Sequence, residues 1–245
     1  MSGHSKWSNI KHRKEKGDAQ KAKIFTKIGR ELAVLVKQGG PDPAVNPRLK
    51  DAIAKARSNN VPNDNIQRMI QKASGETGGN EYINITYEGY GPAGVAVIVE
   101  TLTDNRNRTA GDLRHYFDKF GGNMGATGCV SWQFDKKGII IADREGLNED
   151  TFFMQALEAG AKDMKMLDEV FEVETDPDDF GMVRDALETL GIAFLNAEVA
   201  LVAQNGVTLT NPDDIKNMQK LLDHLADNDD VQNVYHNCEN EEIEE

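Results

Sequence analysis

The chain has 245 residues, 39% hydrophobic and 28% charged, which excludes collagenous, disulfide-framework and wholly disordered classes and leaves room for two or three domains. Its 28 Lys+Arg against 41 Asp+Glu give a net charge of -13, which taken alone argues against a nucleic-acid or anionic-membrane partner. The charge is divided unevenly, however: residues 1–78 hold 11 Lys and 5 Arg against 7 acidic groups, +9, and the rest of the chain sums to -22. Such asymmetry predicts a basic binding module carried on an acidic body.

Residues 1–17 lack hydrophobic periodicity and hold Lys6, Lys11, Arg13, Lys14 and Lys16 beside Trp7, His4 and His12, the composition of an extended arm that orders on a partner. From Asp18 to Lys37, Phe25, Ile28, Leu32, Leu35 and Val36 recur at helical spacing, with Lys21, Lys23, Lys27 and Arg30 mostly elsewhere on the wheel. Gly39-Gly40-Pro41 stops that helix. Asn46-Pro47 caps and opens a second, with Leu49, Ala52, Ile53 and Ala56 on its apolar face. A third follows Val61-Pro62-Asn63, carries Ile66, Met69, Ile70 and Ala73, and ends at Gly75. Residues 76–80 read as a linker.

The hydrophobic period then falls to that of a strand. Ile83, Ile85 and Tyr87 alternate with polar residues, Gly89-Tyr90-Gly91-Pro92 turns the chain, and Val95 to Val99 is a continuous apolar run. A helix bearing Ala110, Leu113, Phe117 and Phe120 closes at Gly121-Gly122. Val130, Trp132 and Phe134 then alternate as a strand, and Asp135-Lys136-Lys137-Gly138 reads as a hairpin turn into Ile139-Ile140-Ile141. There follow a helix (Phe153, Ala156, Leu157, Ala161, Met164), a strand (Val170 to Val173), and a helix between Asp176-Pro177 and Gly191 with Phe180, Val183, Leu187 and Leu190. A strand from Phe194 to Val202, a helix from Asn211-Pro212 with Ile215, Met218, Leu221, Leu222 and Leu225, and a strand from Val231 to Tyr235 complete the order.

This order predicts an α+β fold: an N-terminal three-helix domain plus two α+β, ferredoxin-like domains, one inserted in the other. The predicted bounds are 1–78 for the basic helical domain, 79–135 with 206–238 for the first α+β domain, and 136–205 for the inserted one. An acidic tail at 239–245, five Glu in seven residues, is expected to be disordered.

Most catalytic motifs fail on their mechanics. Gly89-Tyr90-Gly91-Pro92-Ala93-Gly94 matches GxGxxG as text, but a Val-rich strand follows where a dinucleotide site needs a helix N-terminus. Residues 121–128 could offer backbone N–H groups to an anion, yet lack the Lys of a phosphate loop. Cys129 and His115 could pair as nucleophile and base, but no third group is identifiable, and a Cys at a strand start is more often a small buried hydrophobe. With only Cys129 and Cys238, no CxxC and no His at ligand spacing, no metal and no cofactor are expected, and the thiols fit a reducing cytoplasm. No apolar run is long enough to span a membrane, and the N-terminus, interrupted by Glu15 and Asp18, reads as mature protein.

The basic arm is the better lead: Lys and Arg neutralise phosphates, and Trp7 either stacks on an unpaired base or packs back on the helices. Asn105-Arg106-Asn107-Arg108 is a second small basic cluster, whose arginines either touch phosphate or pair with Asp104 and Asp112.

The run Gly3-His4-Ser5-Lys6-Trp7-Ser8-Asn9-Ile10-Lys11-His12-Arg13-Lys14 resembles the YebC/PmpR family, whose mitochondrial relatives include the translational activator of cytochrome c oxidase. The resemblance continues through Lys23 to Lys27, Asn59 to Ile66, Tyr87 to Pro92, Thr103 to Thr109 and Gly121-Gly122, over essentially the whole chain. It implies three domains and a cytoplasmic protein. Most bacterial members carry the label of probable transcriptional regulator and others look like translation factors that help the ribosome through proline runs. The expectation is therefore a non-enzymatic, monomeric, DNA-binding transcriptional regulator, with no membrane or small-molecule partner. The alternative is a ribosome-associated translation factor or translational activator on ribosomal RNA or mRNA. The nucleic-acid-binding residues expected are Lys6, Trp7, Lys11, His12, Arg13, Lys14, Lys16, Lys21, Lys23, Lys27, Arg30, Arg106 and Arg108.

Overall fold

The structure, a computed structural model, describes residues 18–75 and 81–240, with side chains in the first helix from Ala22 onward. The basic arm at 1–17, the linker at 76–80 and the tail beyond Asn240 lie outside the described residues. The fold is α+β, with seven α-helices and two four-stranded sheets among the described residues. Helix α1 spans Asp18–Gly39, α2 Pro47–Ser58 and α3 Asn63–Gly75. Asn46 caps α2 by accepting from Leu49 N at 3.2 Å, and Pro47 sits where its missing N–H costs no helical bond. The apolar positions of the sequence pattern, Ile28, Leu32, Leu35, Leu49, Ala52 and Ala56, are buried.

The chain divides into two compact units. The first joins residues up to Val34 with Gly75–Asp135 and Ala203 onward; the second joins Leu35–Ser74 with Lys136–Val202. In the first, β1 (Ile83–Tyr90) and β2 (Ala96–Thr103) form an antiparallel hairpin in a sheet ordered β3-β1-β2-β8, with β3 at Asn123–Met124 and β8 at Val231–His236. The turn between them is tight, Gly91 N donating to Val95 O at 2.7 Å, with Ala93 and Gly94 at φ 51 and 82. Helices α4 (Arg106–Lys119) and α7 (Pro212–Asp227) set Leu113, Phe117, Met218, Leu221 and Leu225 against Val97, Val99 and Val231.

The second unit carries β4 (Phe134–Asp143), α5 (Glu149–Glu158), β5 (Asp163–Met166), β6 (Val170–Thr175), α6 (Phe180–Thr189) and β7 (Phe194–Ala203), its sheet ordered β5-β6-β4-β7. That order is the split β-α-β arrangement of a ferredoxin-like unit. Phe152 and Ala156 of α5 and Phe180, Val183 and Leu187 of α6 pack on Ile140, Phe171 and Val173. Helices α2 and α3 belong to this unit: Lys50 pairs with Asp185 at 2.5 Å, and Asp51 with the buried Arg184 at 2.5 Å, whose guanidinium lies over the Phe180 ring.

Three local expectations are corrected. No hairpin turn occurs at Asp135–Gly138; β4 runs unbroken from Phe134 to Asp143. Gly138 is there for contact: a Cβ would meet Thr175 Oγ1 and, at 2.8 Å, Phe180 Cβ, so the missing side chain lets β4, β6 and α6 close up. Val130, Trp132 and Phe134 do not alternate in a strand, because Ser131–Gln133 is a short 3-10 turn that throws Trp132 into solvent. Finally, α5 stops at Glu158, where Gly160 takes φ 103, and Met164 lies on the edge strand β5 instead of the helix.

Candidate nucleic-acid interface

Helix α1 presents its cations to the far end of the chain. Lys27 Nζ donates to Ala226 O at 2.6 Å, and Lys23 Nζ to Asp227 Oδ1 at 3.0 Å, so both serve the carbonyl end of α7, where the helix dipole is negative. Arg30 Nη1 donates to Asp229 O at 2.8 Å and to Asp230 Oδ1 at 3.1 Å, and its guanidinium lies 5.5 Å from the centre of the Tyr82 ring. Asp230 is 4% exposed. Its Oδ2 accepts from Arg108 Nη2 at 2.7 Å, Thr109 Oγ1 at 2.8 Å and Thr103 Oγ1 at 3.1 Å. Burial opposes its ionisation, but Arg108 and the two threonine hydroxyls outweigh that and hold the carboxyl below the usual carboxylate range.

Of the expected residues, Lys23, Lys27, Arg30 and Arg108 are therefore engaged inside the first unit, Arg108 also through Asp104 at 2.9 Å. Arg106 is exposed and makes no ion pair among the described residues; its backbone oxygen accepts from the Tyr87 hydroxyl. Lys21 falls in α1 without a described side chain. Lys6, Trp7, Lys11, His12, Arg13, Lys14 and Lys16 lie outside the described residues.

The sequence pattern does not single out a second set of cations that the structure brings forward. Lys37, Arg48, Arg57 and Arg68 of the helices α1 to α3 are exposed, and none forms an ion pair among the described residues. Arg48 donates only to Gln38 Oε1 at 3.3 Å and Arg57 only to Asn63 Oδ1 at 3.0 Å, neutral partners that leave the positive charge uncompensated. On the helical wheel Arg68 lies opposite Ile66, but Arg48 and Arg57 border the apolar face of α2, one position from Leu49 and Ala56, so only the folded chain shows them exposed.

The glycine-rich loop does hold an anion, and the anion belongs to the chain. Glu88, 3% exposed, accepts from Gly128 N at 2.8 Å on one oxygen and from Val130 N and Ser131 N at 2.9 Å on the other. Burial alone would raise its pKa, but these backbone donors and the Ser131 side chain together lower it by more, so the carboxyl stays below its ordinary range. The loop so braced presents Trp132, 68% exposed, whose indole Nε1 donates to Cys129 O at 3.1 Å and leaves the ring face open. Burial and the Glu88 charge push the Cys129 thiol up, away from the thiolate a nucleophile needs. His115 stands on α4 beside Tyr116, with ring centroids 6.2 Å apart. Among the described residues no group of three His, Cys, Asp or Glu is placed to hold a metal, and no helix is long and apolar enough to cross a membrane.

Comparison with known proteins matches residues 5–76 to the family described as "TACO1/YebC protein N-terminal domain" and residues 82–238 to "TACO1/YebC second and third domain". A "Probable transcriptional regulatory protein" of Acetivibrio thermocellus is 61% identical, covering 97% of this chain and 98% of its own length. One of the same name from Ruminiclostridium cellulolyticum is 58% identical over 100% of this chain and 99% of its own. The crystal structure of a conserved hypothetical protein from Aquifex aeolicus superposes with a TM-score of 0.82 at 42% identity, covering 92% of this chain and 93% of that one.

Proposed function

The chain belongs to the TACO1/YebC family, and from that premise we propose that it is a non-enzymatic cytoplasmic regulator of gene expression that binds nucleic acid, with duplex DNA as its target. The observation that carries this is the set of exposed, uncompensated cations Arg48, Arg57 and Arg68 on α2 and α3, in the part of the chain whose net charge is +9. The relatives' names, probable transcriptional regulatory protein, favour DNA. Phosphate contacts by arginine release counterions and confer affinity without reading bases, so selectivity comes from elsewhere. The acidic remainder restrains indiscriminate binding.

The test is fluorescence anisotropy with a labelled DNA duplex over a salt series. Replacing Arg48, Arg57 and Arg68 with Ala flattens the slope of log affinity against log salt by about one unit per lost contact. An unchanged slope rules the contacts out. Trp132 favours a second reading: an exposed indole with its N–H already bonded suits an unpaired base, as in RNA bound during translation. A folded RNA that binds more tightly than the duplex, and loses affinity in Trp132→Ala, decides for RNA.

A further inference from the structure

Five of the nine exposed large hydrophobic residues of the described chain lie on helices α5 and α6 of the ferredoxin-like unit and the C-cap of α6. On α5, Phe153, Met154 and Leu157 are exposed while Phe152 and Ala156 fill the core, so the hydrophobic arc of this short helix is wider than its packing uses. On α6 and its C-cap, Met182 and Leu190 are exposed, about two turns apart along one side of the helix, and Met182 is 61% accessible. A Cβ on Gly160, two residues beyond the end of α5, would lie 3.5 Å from Met182 Cε, which places the α6 stripe against the end of its neighbour. Isolated exposed hydrophobes are ordinary; five on two adjacent helices are not.

The charge around them is predominantly negative, the nearby exposed lysines Lys162 and Lys50 being paired with Asp176 and Asp185. Glu149, Asp150 and Glu158 on α5, and Asp178, Asp179 and Glu188 at α6, are exposed. The single basic residue of the two helices, Arg184, is 3% exposed and is spent on Asp51 and Asp185. Over residues 136–202, 16 acidic groups face 6 basic ones. A polyanion is repelled by such a face. Its apolar part is rich in methionine, a side chain that adapts its shape to different partners, and its rim is acidic.

We propose that α5 and α6 form a docking surface for a basic amphipathic helix of a partner protein. The helix's apolar side covers Phe153, Met154, Leu157 and Met182, and its Lys and Arg flanks meet the acidic rim. Charge complementarity selects this occupant: a second copy of the same face would bring carboxylates against carboxylates, which is unfavourable. The surface does not depend on which nucleic acid the arginines of α2 and α3 contact, and gives the protein a second, opposite specificity.

The experiment uses the full chain with methyl-labelled methionine and three synthetic peptides: an amphipathic Leu/Lys helix, the same composition scrambled so that no apolar face forms, and a Leu/Glu helix of the original pattern. The expected result is micromolar binding of the first with the resonances of Met154 and Met182 shifting while buried Met218 stays fixed. The scrambled and acidic peptides bind about tenfold more weakly or not at all, and Leu157→Ser with Met182→Ser weakens the first peptide about tenfold. Equal binding of the scrambled peptide reduces the interaction to net charge and overturns the proposal. So do shifts confined to other methionines, and so does a homodimer in sedimentation whose Met182 resonance moves with chain concentration alone. The methyl shifts are read on the unmodified protein, so the outcome stands even if the double variant folds poorly.

Discussion

Arg30 donates to the carboxylate of Asp230 at 3.1 Å across 200 residues of sequence, and Arg108 takes the other oxygen of the same carboxylate at 2.7 Å. One buried acid thus ties α1 to the N-terminal turn of α4 and to the end of β2, where Thr103 and Thr109 complete its hydrogen bonds. Removing the carboxylate strips the buried Thr103 and Thr109 hydroxyls of their acceptor and leaves Arg30 and Arg108, which keep some access to water, without the acid that fixes them. Asp230→Ala is therefore expected to lower stability by about 3 kcal/mol. Amide exchange should accelerate in residues 22–34, which rest on this tie, more than in β4 or β6. Uniform acceleration across both units would show that the carboxylate supports global stability and not the seat of α1.

The carboxylate of Glu88 replaces an external ligand in the loop at 128–131, so Glu88→Ala strands three backbone donors and is expected to cost about 3 kcal/mol if they are not rehydrated. Cys129 lies inside that loop, held protonated by burial and by the Glu88 charge. The same substitution should therefore speed its reaction with a disulfide reagent, counted against Cys238, which is buried and also raised by burial. A Cys129 rate that stays the same would mean the loop keeps its shape without the acid.

Much of the fold was legible because hydrophobic spacing is a local signal. Ile28, Leu32 and Leu35 announce α1, Asn46-Pro47 announces the start of α2, and Val95 to Val99 announces a buried strand. What was not legible depends on partners distant in sequence. Gly138 reads as a turn residue, and only the approach of Thr175 and Phe180 shows that it is a contact residue. Trp132 reads as a strand residue until Glu88, 43 positions before Ser131, is seen to bend the chain there. The basic excess was visible, but which cations are free was not: Lys23, Lys27, Arg30 and Arg108 are matched by carbonyls and carboxylates more than a hundred residues away, whereas Arg48 and Arg68 are not. Periodicity reports a residue's face, and pairing is a property of the assembled chain.

Gly138 gives a direct test of that distinction. Gly138→Ala places a methyl group against Thr175 and Phe180 in the packed core and should destabilise the second unit by about 2 kcal/mol or more. Gly111, in the exposed middle of α4 with nothing within 4 Å of where a methyl group would sit, is the matched control. Gly111→Ala should stabilise by about 0.5–1 kcal/mol through helix propensity. Thermal unfolding of both variants checks the pair, and a neutral Gly138→Ala would mean that β4 and α6 can separate at little cost.

His236 supplies the expected acid sensitivity. It lies on β8 opposite Val97 with both ring nitrogens buried, and burial, only partly offset by the Cys238 backbone nearby, lowers its pKa to about 4. An unfolded histidine titrates near 6.5, so between these values the unfolded chain binds a proton that the folded chain refuses. Stability is then full above about pH 6.5 and falls as the pH drops toward about 4, by up to about 3 kcal/mol. Asp230 and Glu88, whose pKa values are depressed, lose their contributions only at lower pH, as each is protonated in turn. Urea unfolding between about pH 7 and about pH 4.5 isolates the histidine contribution, and His236→Leu should flatten the curve over that interval. If the slope persists in His236→Leu, the acid sensitivity belongs to other groups and the ring is accessible to protons in the folded chain.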